Sequence, residues 1–174
     1  MPPKKYSVIH FDDYPEFTPN LTPQEIFELG SFGGTYWRPI RSNITKKDYK
    51  NKHKKYSWAK KIPEEWMTLD WKDYDKSINK YGVKVGTTLR FWEKKGWITK
   101  YHPYGWVQWY CDFYEGKRGP DDERQIERWE RTAGPNSRFR KWLLRMIRER
   151  GARKDDYSVS PKIRQTLQHW AVKI

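Results

Sequence analysis

The stretch that decides the fold is Pro103-Tyr104-Gly105-Trp106-Val107-Gln108-Trp109-Tyr110-Cys111-Asp112-Phe113-Tyr114-Glu115. At about 100° per residue of an α-helix, its large apolar side chains fall within about 160° of arc and its polar side chains take the opposite side. This spacing predicts a helix that begins at Pro103 and runs to about Glu115. We expect this helix at the centre of the fold and Trp109 in the core.

Helix starts and stops recur on both sides of that stretch. Proline in a first turn and glycine after a last turn are typical helix boundaries. They predict further helices at about 23–29, 87–95, 120–133, 137–150 and 161–171. Residues 30–36 hold three glycines, which favours a turn, and residues 36–40 are predicted to be extended because Arg38 precedes a proline.

The predicted fold class is mainly α, with one compact multi-helix domain and an aromatic-rich core. The chain has 174 residues, which suits one domain of ordinary size. Its 11 Trp, 12 Tyr and 7 Phe must build most of that core, and they exclude wholesale disorder. We expect an irregular N-terminal arm over residues 1–20 and a helical domain over residues 21–174, within which residues 41–61 form a basic segment.

The charge balance predicts a polyanionic partner. Lys and Arg number 36 against 22 Asp and Glu, which gives a net charge of +14. Most of the excess lies in residues 41–61 and 117–154. Nucleic acid, either DNA or RNA, is therefore the expected partner class.

The sequence also predicts what this protein is not: a membrane protein, a disulfide-bonded protein or a metal-binding protein. No apolar run approaches the roughly 20 residues of a membrane span, so we expect no membrane contact. The single cysteine, Cys111, excludes an internal disulfide and indicates a reducing, intracellular setting, either cytoplasmic or nuclear, or a virion. The four histidines are scattered, and no metal site, cofactor or catalytic residue is predicted.

The predicted helix at 137–150 carries a cationic face. This face consists of Arg138, Lys141, Arg145 and Arg148, which occupy about 80° of arc. The apolar side chains Phe139, Trp142, Leu143, Met146 and Ile147 lie on the other side and are expected to pack. Arginines one turn apart suit phosphates along a nucleic-acid strand. The alternative is a solvated charged face that binds nothing.

The basic segment is the second candidate for nucleic-acid contact. Its lysines Lys46, Lys47, Lys50, Lys54 and Lys55 are expected to contact phosphates. Tyr56 and Trp58 are expected to offer flat faces for unpaired bases. A nuclear-targeting signal and a plain solvated loop remain as alternatives.

Three functions are compatible with these residues. The leading one is a nucleic-acid-binding protein without catalysis of its own. The second is an enzyme acting on nucleic acid or nucleotides, with an aromatic base pocket near Tyr36, Trp37 and Trp106. Its carboxylates would come from Asp112 or from Asp121-Asp122-Glu123, although the latter three already have a structural role at a helix start. The third is a structural protein of a virion or another assembly.

Three motifs carry a resemblance to a known family. They are Gly30-Ser31-Phe32-Gly33-Gly34-Thr35-Tyr36-Trp37-Arg38-Pro39-Ile40, the run from His102 to Cys111, and Asp121-Asp122-Glu123-Arg124-Gln125-Ile126. With them the chain resembles a family of uncharacterised proteins from large DNA viruses and assorted eukaryotes, over residues from about 20 to the C-terminus. The resemblance implies no activity, cofactor or catalytic residue.

Overall fold

Six α-helices carry most of the regular structure in the computed structural model, which describes residues 4–174. They are α1 (Pro23–Glu28), α2 (Leu89–Lys94), α3 (Trp106–Tyr114), α4 (Asp122–Ala133), α5 (Arg138–Glu149) and α6 (Pro161–His169). Helices of all kinds account for 42% of the structure and strands for 2%. The prediction of a mainly α fold is therefore confirmed.

The remaining regular elements are short and lie mostly between α1 and α2. Single-turn 3₁₀ helices occupy Phe32–Gly34, Lys52–Lys55, Ser57–Lys61, Glu64–Trp66 and Trp71–Asp73. The strands β1 (Ile40–Arg41) and β2 (Asp48–Tyr49) pair antiparallel, with Ile40 opposite Tyr49. Within residues 4–174, no helix has both the length and the apolarity to cross a bilayer.

Side-chain capping explains where α1, α2 and α5 begin. The Thr22 hydroxyl accepts a hydrogen bond from the Glu25 backbone N–H at 3.1 Å, and the Glu25 carboxylate accepts one from the Thr22 N–H at 2.9 Å. This reciprocal pair starts α1. Ser137 caps α5 in the same way, by accepting from the Arg140 N–H at 3.3 Å. The predicted bounds of α1, α2, α4, α5 and α6 agree with the structure to within two residues.

Two sequence predictions in the central region were wrong. The helix α3 begins at Trp106 and not at Pro103, because Gly105 has a φ of 97° and cannot belong to a right-handed helix. The segment at 36–40 is extended only at its end. Tyr36 and Trp37 form a turn, since the Arg38 N–H donates to the Thr35 carbonyl oxygen at 3.1 Å.

The aromatic core centres on α3, as the sequence predicts. Trp109 is only 1% exposed, and its ring lies 4.8 Å from that of Phe113 and 5.6 Å from that of Phe17. Its indole N–H donates to the Asp122 carboxylate at 2.9 Å, which ties α3 to the start of α4. Trp109 is therefore confirmed as a core residue.

The described part of the N-terminal arm, residues 4–20, contains no helix or strand. It is nevertheless anchored, because Phe17 is fully buried against the rings of α3 and α4. Asn20 exchanges two hydrogen bonds of 2.7 Å with the backbone of Lys173 near the C-terminus. The arm completes the core rather than projecting from it.

Candidate functional site

The cationic face of α5 is open to solvent. Arg138, Lys141, Arg145 and Arg148 are all exposed. Arg145 lies 3.7 Å from the Glu149 carboxylate, and the other three have no ion pair with any of the described residues. The face therefore keeps almost all of its charge available for a ligand.

The apolar side of α5 packs less completely than the sequence predicts. Leu143 and Ile147 are buried where α5 meets α4 and α6, and Met146 is half-buried. Phe139 and Trp142 are 40% and 46% exposed, because the contact with α4 and α6 covers only part of the apolar arc. The prediction that both rings pack in the core was wrong. The Arg145 guanidinium lies 4.5 Å above the Trp142 ring, so one cation of the face lies over an open ring.

The lysines of the basic segment lie on the surface, whereas its two predicted stacking rings pack against the core. Lys46, Lys47, Lys50 and Lys54 are exposed. Lys55 is also exposed, but its ammonium group pairs with the Asp112 carboxylate at 3.1 Å. Four of the five predicted lysines thus remain without an acidic partner among the described residues.

The two rings expected to stack on bases, Tyr56 and Trp58, pack against the core. Tyr56 is fully buried, and its hydroxyl donates to the Asp112 carboxylate at 2.6 Å. The half-buried Trp58 is stacked on Tyr56 at 5.4 Å and on Phe27 at 5.5 Å. The expectation that Tyr56 stacks on a base was wrong, because the core already encloses its ring. Trp58 has part of its surface free.

An aromatic cleft of about 650 Å³ opens on another part of the surface. Ten rings line it, from Phe32, Tyr36, Trp71, Tyr74, Phe91, Trp92, Trp97, Trp106, Phe139 and Trp170. They come from the segment between α1 and α2, from α2 and the loop after it, from α3 and α5, and from the residue that follows α6. Phe139 belongs both to this cleft and to the exposed side of α5, so the cleft adjoins the helix with the cationic face.

Four arginines complete the lining, and no Asp or Glu of the described residues belongs to it. Arg124 is neutralised by Asp121, whose carboxylate lies 2.6 Å from its Nε. Arg38, Arg128 and Arg131 have no ion pair among residues 4–174. Burial, together with the nearby Arg124 charge, lowers the pKa of Arg128 to about 10. The cleft is thus apolar and positively charged.

His169 is a buried titratable side chain in this cleft. It is 7% exposed, and its ring is stacked on that of Phe32 at 3.9 Å. The Phe32 N–H donates to Nε2 at 3.1 Å, which places the proton of the neutral ring on Nδ1. Burial lowers the pKa of His169 to about 3, so the ring is neutral near pH 7. Its Nδ1–H has no hydrogen-bond partner among the described residues.

The acidic residues of the predicted enzyme pocket lie elsewhere. Asp112, Asp121 and Asp122 line a smaller cavity of about 290 Å³, and Glu123 is exposed. Burial opposes ionisation of Asp112, but hydrogen bonds from His102, Tyr56 and Lys55 outweigh it and hold the pKa of this carboxyl well below its usual range. The Asp122 carboxylate accepts from the Trp109 indole and from the Gly119 N–H at 2.8 Å. Asp112, Asp121 and Asp122 thus all have structural partners.

The predicted base pocket is thus present only in part. Tyr36 and Trp106 line the aromatic cleft, whereas Trp37 is fully buried outside it. Sequence reasoning missed Arg124, Arg128 and Arg131, which stand at positions i, i+4 and i+7 of α4. That spacing places three arginines on one side of a helix, and it was the signal that could have identified them.

No protein-family model, curated protein or solved structure matches this chain. Membership of the viral and eukaryotic family therefore stays a prediction. Within residues 4–174, no group of three or more His, Cys, Asp and Glu side chains is arranged to hold a metal ion.

Proposed function

We propose that the protein binds nucleic acid and that the cationic face of α5 contacts the phosphates. One observation carries this proposal: all four cations of the face are exposed, and three of them have no acidic partner among the described residues. Each such cation that meets a phosphate releases a counterion, which favours binding. The exposed lysines of the basic segment extend the same chemistry to a second surface.

An unpaired strand fits this surface better than a duplex does. Trp142 presents an open ring beside Arg145, and Phe139 presents a second open ring on the same helix. Unpaired bases stack on such rings whatever their sequence. A duplex keeps its bases stacked on one another and leaves these rings without a partner. The proposal applies equally to DNA and RNA.

A pair of charge-matched variants tests the proposal. The first replaces Arg138, Lys141, Arg145 and Arg148 with Gln. The second, a control, replaces Lys5, Lys72, Lys76 and Lys100 with Gln, since these four are also exposed but belong to neither basic surface. Fluorescence anisotropy of a labelled single-stranded oligonucleotide, measured between about 50 and 200 mM salt, gives the affinity and its salt dependence for each.

We expect both variants to fold, because every replaced side chain is exposed and Gln has a helix propensity close to that of Arg and Lys. In the α5 variant, the slope of log affinity against log salt should shrink by about 3, at about 0.7 per phosphate contact of a single strand. The control slope should change much less. Equal slopes in the α5 variant and the unmodified protein would identify the face as merely solvated.

One observation favours catalysis on nucleic acid or nucleotides as a second function. His169 lies in the cleft with a strongly lowered pKa, and such groups concentrate at active sites. A histidine with so low a pKa is a poor proton acceptor, however, and no carboxylate of the described residues lines the cleft. Binding is therefore the better supported function. Nucleotides are incubated either with the unmodified protein or with His169→Gln, and mass spectrometry detects any product. Catalysis requires a product that the unmodified protein forms and His169→Gln does not.

A further inference from the structure

Arg128 in the aromatic cleft has no ion pair among the described residues, although its guanidinium lies 5.8 Å from the Trp97 ring and 5.3 Å from the Trp170 ring. Arg128 donates through Nη1 to the Trp97 carbonyl oxygen at 3.1 Å and to the Gln125 side chain at 2.7 Å. Its Nε and Nη2 make no hydrogen bond to the described residues. The hydrogen bonds and the two rings offset part of the cost of burying this charge, and an anion at Nε and Nη2 would offset more of it. The arginine geometry therefore points to a ligand with an anionic group.

The same cleft offers flat apolar surfaces at its mouth. Phe91 and Trp97 are each 38% exposed and Phe139 is 40% exposed, and all three belong to the lining. Rings that stay open on a folded surface lose the stability that burial would provide, which makes them a recognisable binding feature. A planar aromatic group would cover them by stacking. The ligand therefore needs a planar part as well as an anionic part.

His169 supplies a directional contact deeper in the cleft. Because its Nε2 accepts from the Phe32 N–H, the ring offers an Nδ1–H donor. The residue is over nine-tenths buried, but Nδ1 itself remains accessible from the cleft and has no hydrogen-bond partner among the described residues. A ligand in the cleft that has a carbonyl, ring-nitrogen or phosphate acceptor can therefore accept from this donor.

We propose that the aromatic cleft is a binding site for a single nucleotide. The base lies among the rings at the mouth, and the phosphate is bound by Arg128 and Arg131. A nucleoside monophosphate combines the planar group, the hydrogen-bond acceptors and the anion that these three features require. If the nucleotide is an unpaired unit of a strand, this inference rests on the proposed function. If the nucleotide is free, the inference is independent of strand binding. The cleft volume of about 650 Å³ is within the range of small-ligand pockets.

The experiment uses AMP and a short single-stranded oligodeoxyadenylate as probes. Isothermal titration calorimetry measures the affinity for AMP, for adenosine and for inorganic phosphate. Fluorescence anisotropy measures the affinity for the oligonucleotide. The test variants are Arg128→Gln, which removes the charge without an acidic partner, and Phe139→Ala, which removes an exposed ring. The matched control is the α5 variant with Gln at positions 138, 141, 145 and 148, which leaves the cleft lining intact.

We expect AMP to bind more tightly than either adenosine or phosphate alone, since it engages both parts of the site. Arg128→Gln should weaken AMP about tenfold or more, because charge-assisted hydrogen bonds are the stronger ones. Phe139→Ala should weaken it about fivefold or more through lost stacking. The α5 variant should bind AMP as the unmodified protein does. If Arg128→Gln does not fold, Arg131→Gln, at an exposed position of the cleft lining, provides the same comparison.

The outcomes distinguish the source of the nucleotide. AMP binding that the cleft variants weaken supports a free nucleotide as ligand. If AMP does not bind at about 1 mM but Arg128→Gln weakens binding of the oligonucleotide about tenfold, the ligand is a nucleotide within a strand. If the cleft variants change neither probe, the inference is overturned.

The proposed function and this inference fail on different measurements. The proposed function is wrong if the α5 variant keeps the oligonucleotide affinity and salt dependence of the unmodified protein, whether or not AMP binds. A protein that binds AMP in the cleft but no oligonucleotide would retain the nucleotide site and lose the proposed strand interface.

Discussion

The neutral His169 predicts a specific dependence of stability on pH. In the folded protein, burial lowers the pKa of His169 to about 3 from its ordinary 6.5. Below pH 6.5 the unfolded chain therefore binds a proton at this residue that the folded protein does not bind. Stability from this group is fully present above about pH 6.5 and is lost as the pH falls towards about 3. The variant His169→Gln has no proton to bind and lacks this loss.

The size of the effect follows from these two pKa values. Each pH unit between them changes the free energy of unfolding by about 1.36 kcal/mol. From pH 6.5 to pH 5, His169 should therefore remove about 2 kcal/mol of stability. At pH 7, His169→Gln should be the less stable protein by about 1–3 kcal/mol, because it loses the stacking on Phe32 and weakens a buried hydrogen bond. Moving from pH 7 to pH 5 should narrow that gap by about 2 kcal/mol.

Urea unfolding followed by tryptophan fluorescence at pH 7, 6 and 5 measures the gap. The matched control is His10→Gln, which changes an exposed histidine and should leave the free energy of unfolding within about 0.5 kcal/mol of the unmodified protein at each pH. A gap between the unmodified protein and His169→Gln that is the same at pH 7 and pH 5 would refute the assignment of a neutral, buried His169.

Two further predictions concern stability. Phe17→Ala should lower the free energy of unfolding by about 3–5 kcal/mol in urea denaturation, because Phe17 is fully buried among six other rings; a loss below about 1 kcal/mol would mean that the arm is dispensable. Asp112→Asn should lower the melting temperature more at pH 7 than at pH 3, since interactions that hold the pKa of Asp112 low stabilise the fold above its ordinary value of 3.8 and are lost as the pH falls. Equal effects at both pH values would contradict the ionised state of this carboxyl.

Most of the helical framework could be predicted because its signals are local. Thr22 with Glu25, and Ser137 at the start of α5, satisfy backbone groups within one turn of themselves. The start of α3 was misplaced because proline is compatible with a first turn, while the left-handed conformation of Gly105 leaves no mark in the sequence beyond the glycine itself.

Exposure of particular side chains was predicted less well than helix position. Helical spacing correctly places Leu143 and Ile147 on a buried side, yet it assigns Phe139 and Trp142 to the same side, where the structure leaves both exposed. Periodicity defines the direction of a side chain, but the width of the contact with α4 and α6 decides how much of that side is covered. Tyr56 illustrates the reverse case, since its neighbouring lysines suggest a surface and Asp112 holds it inside.

By itself, the sequence determined the mainly α class, the aromatic core around α3 and the cationic face of α5, because these depend on composition and on residues within a few turns of one another. The aromatic cleft was decided only by the tertiary structure. Its lining runs from Phe32 to Trp170 and draws on segments that share no local pattern. Packing brought Arg128 of α4 and His169 of α6 to one cavity, and it left a guanidinium without an acidic partner among the described residues and an imidazole N–H that is accessible from the cleft. Whether a side chain has an ionic or hydrogen-bonding partner depends on which groups lie near it in space. The order of residues along the sequence does not contain this information.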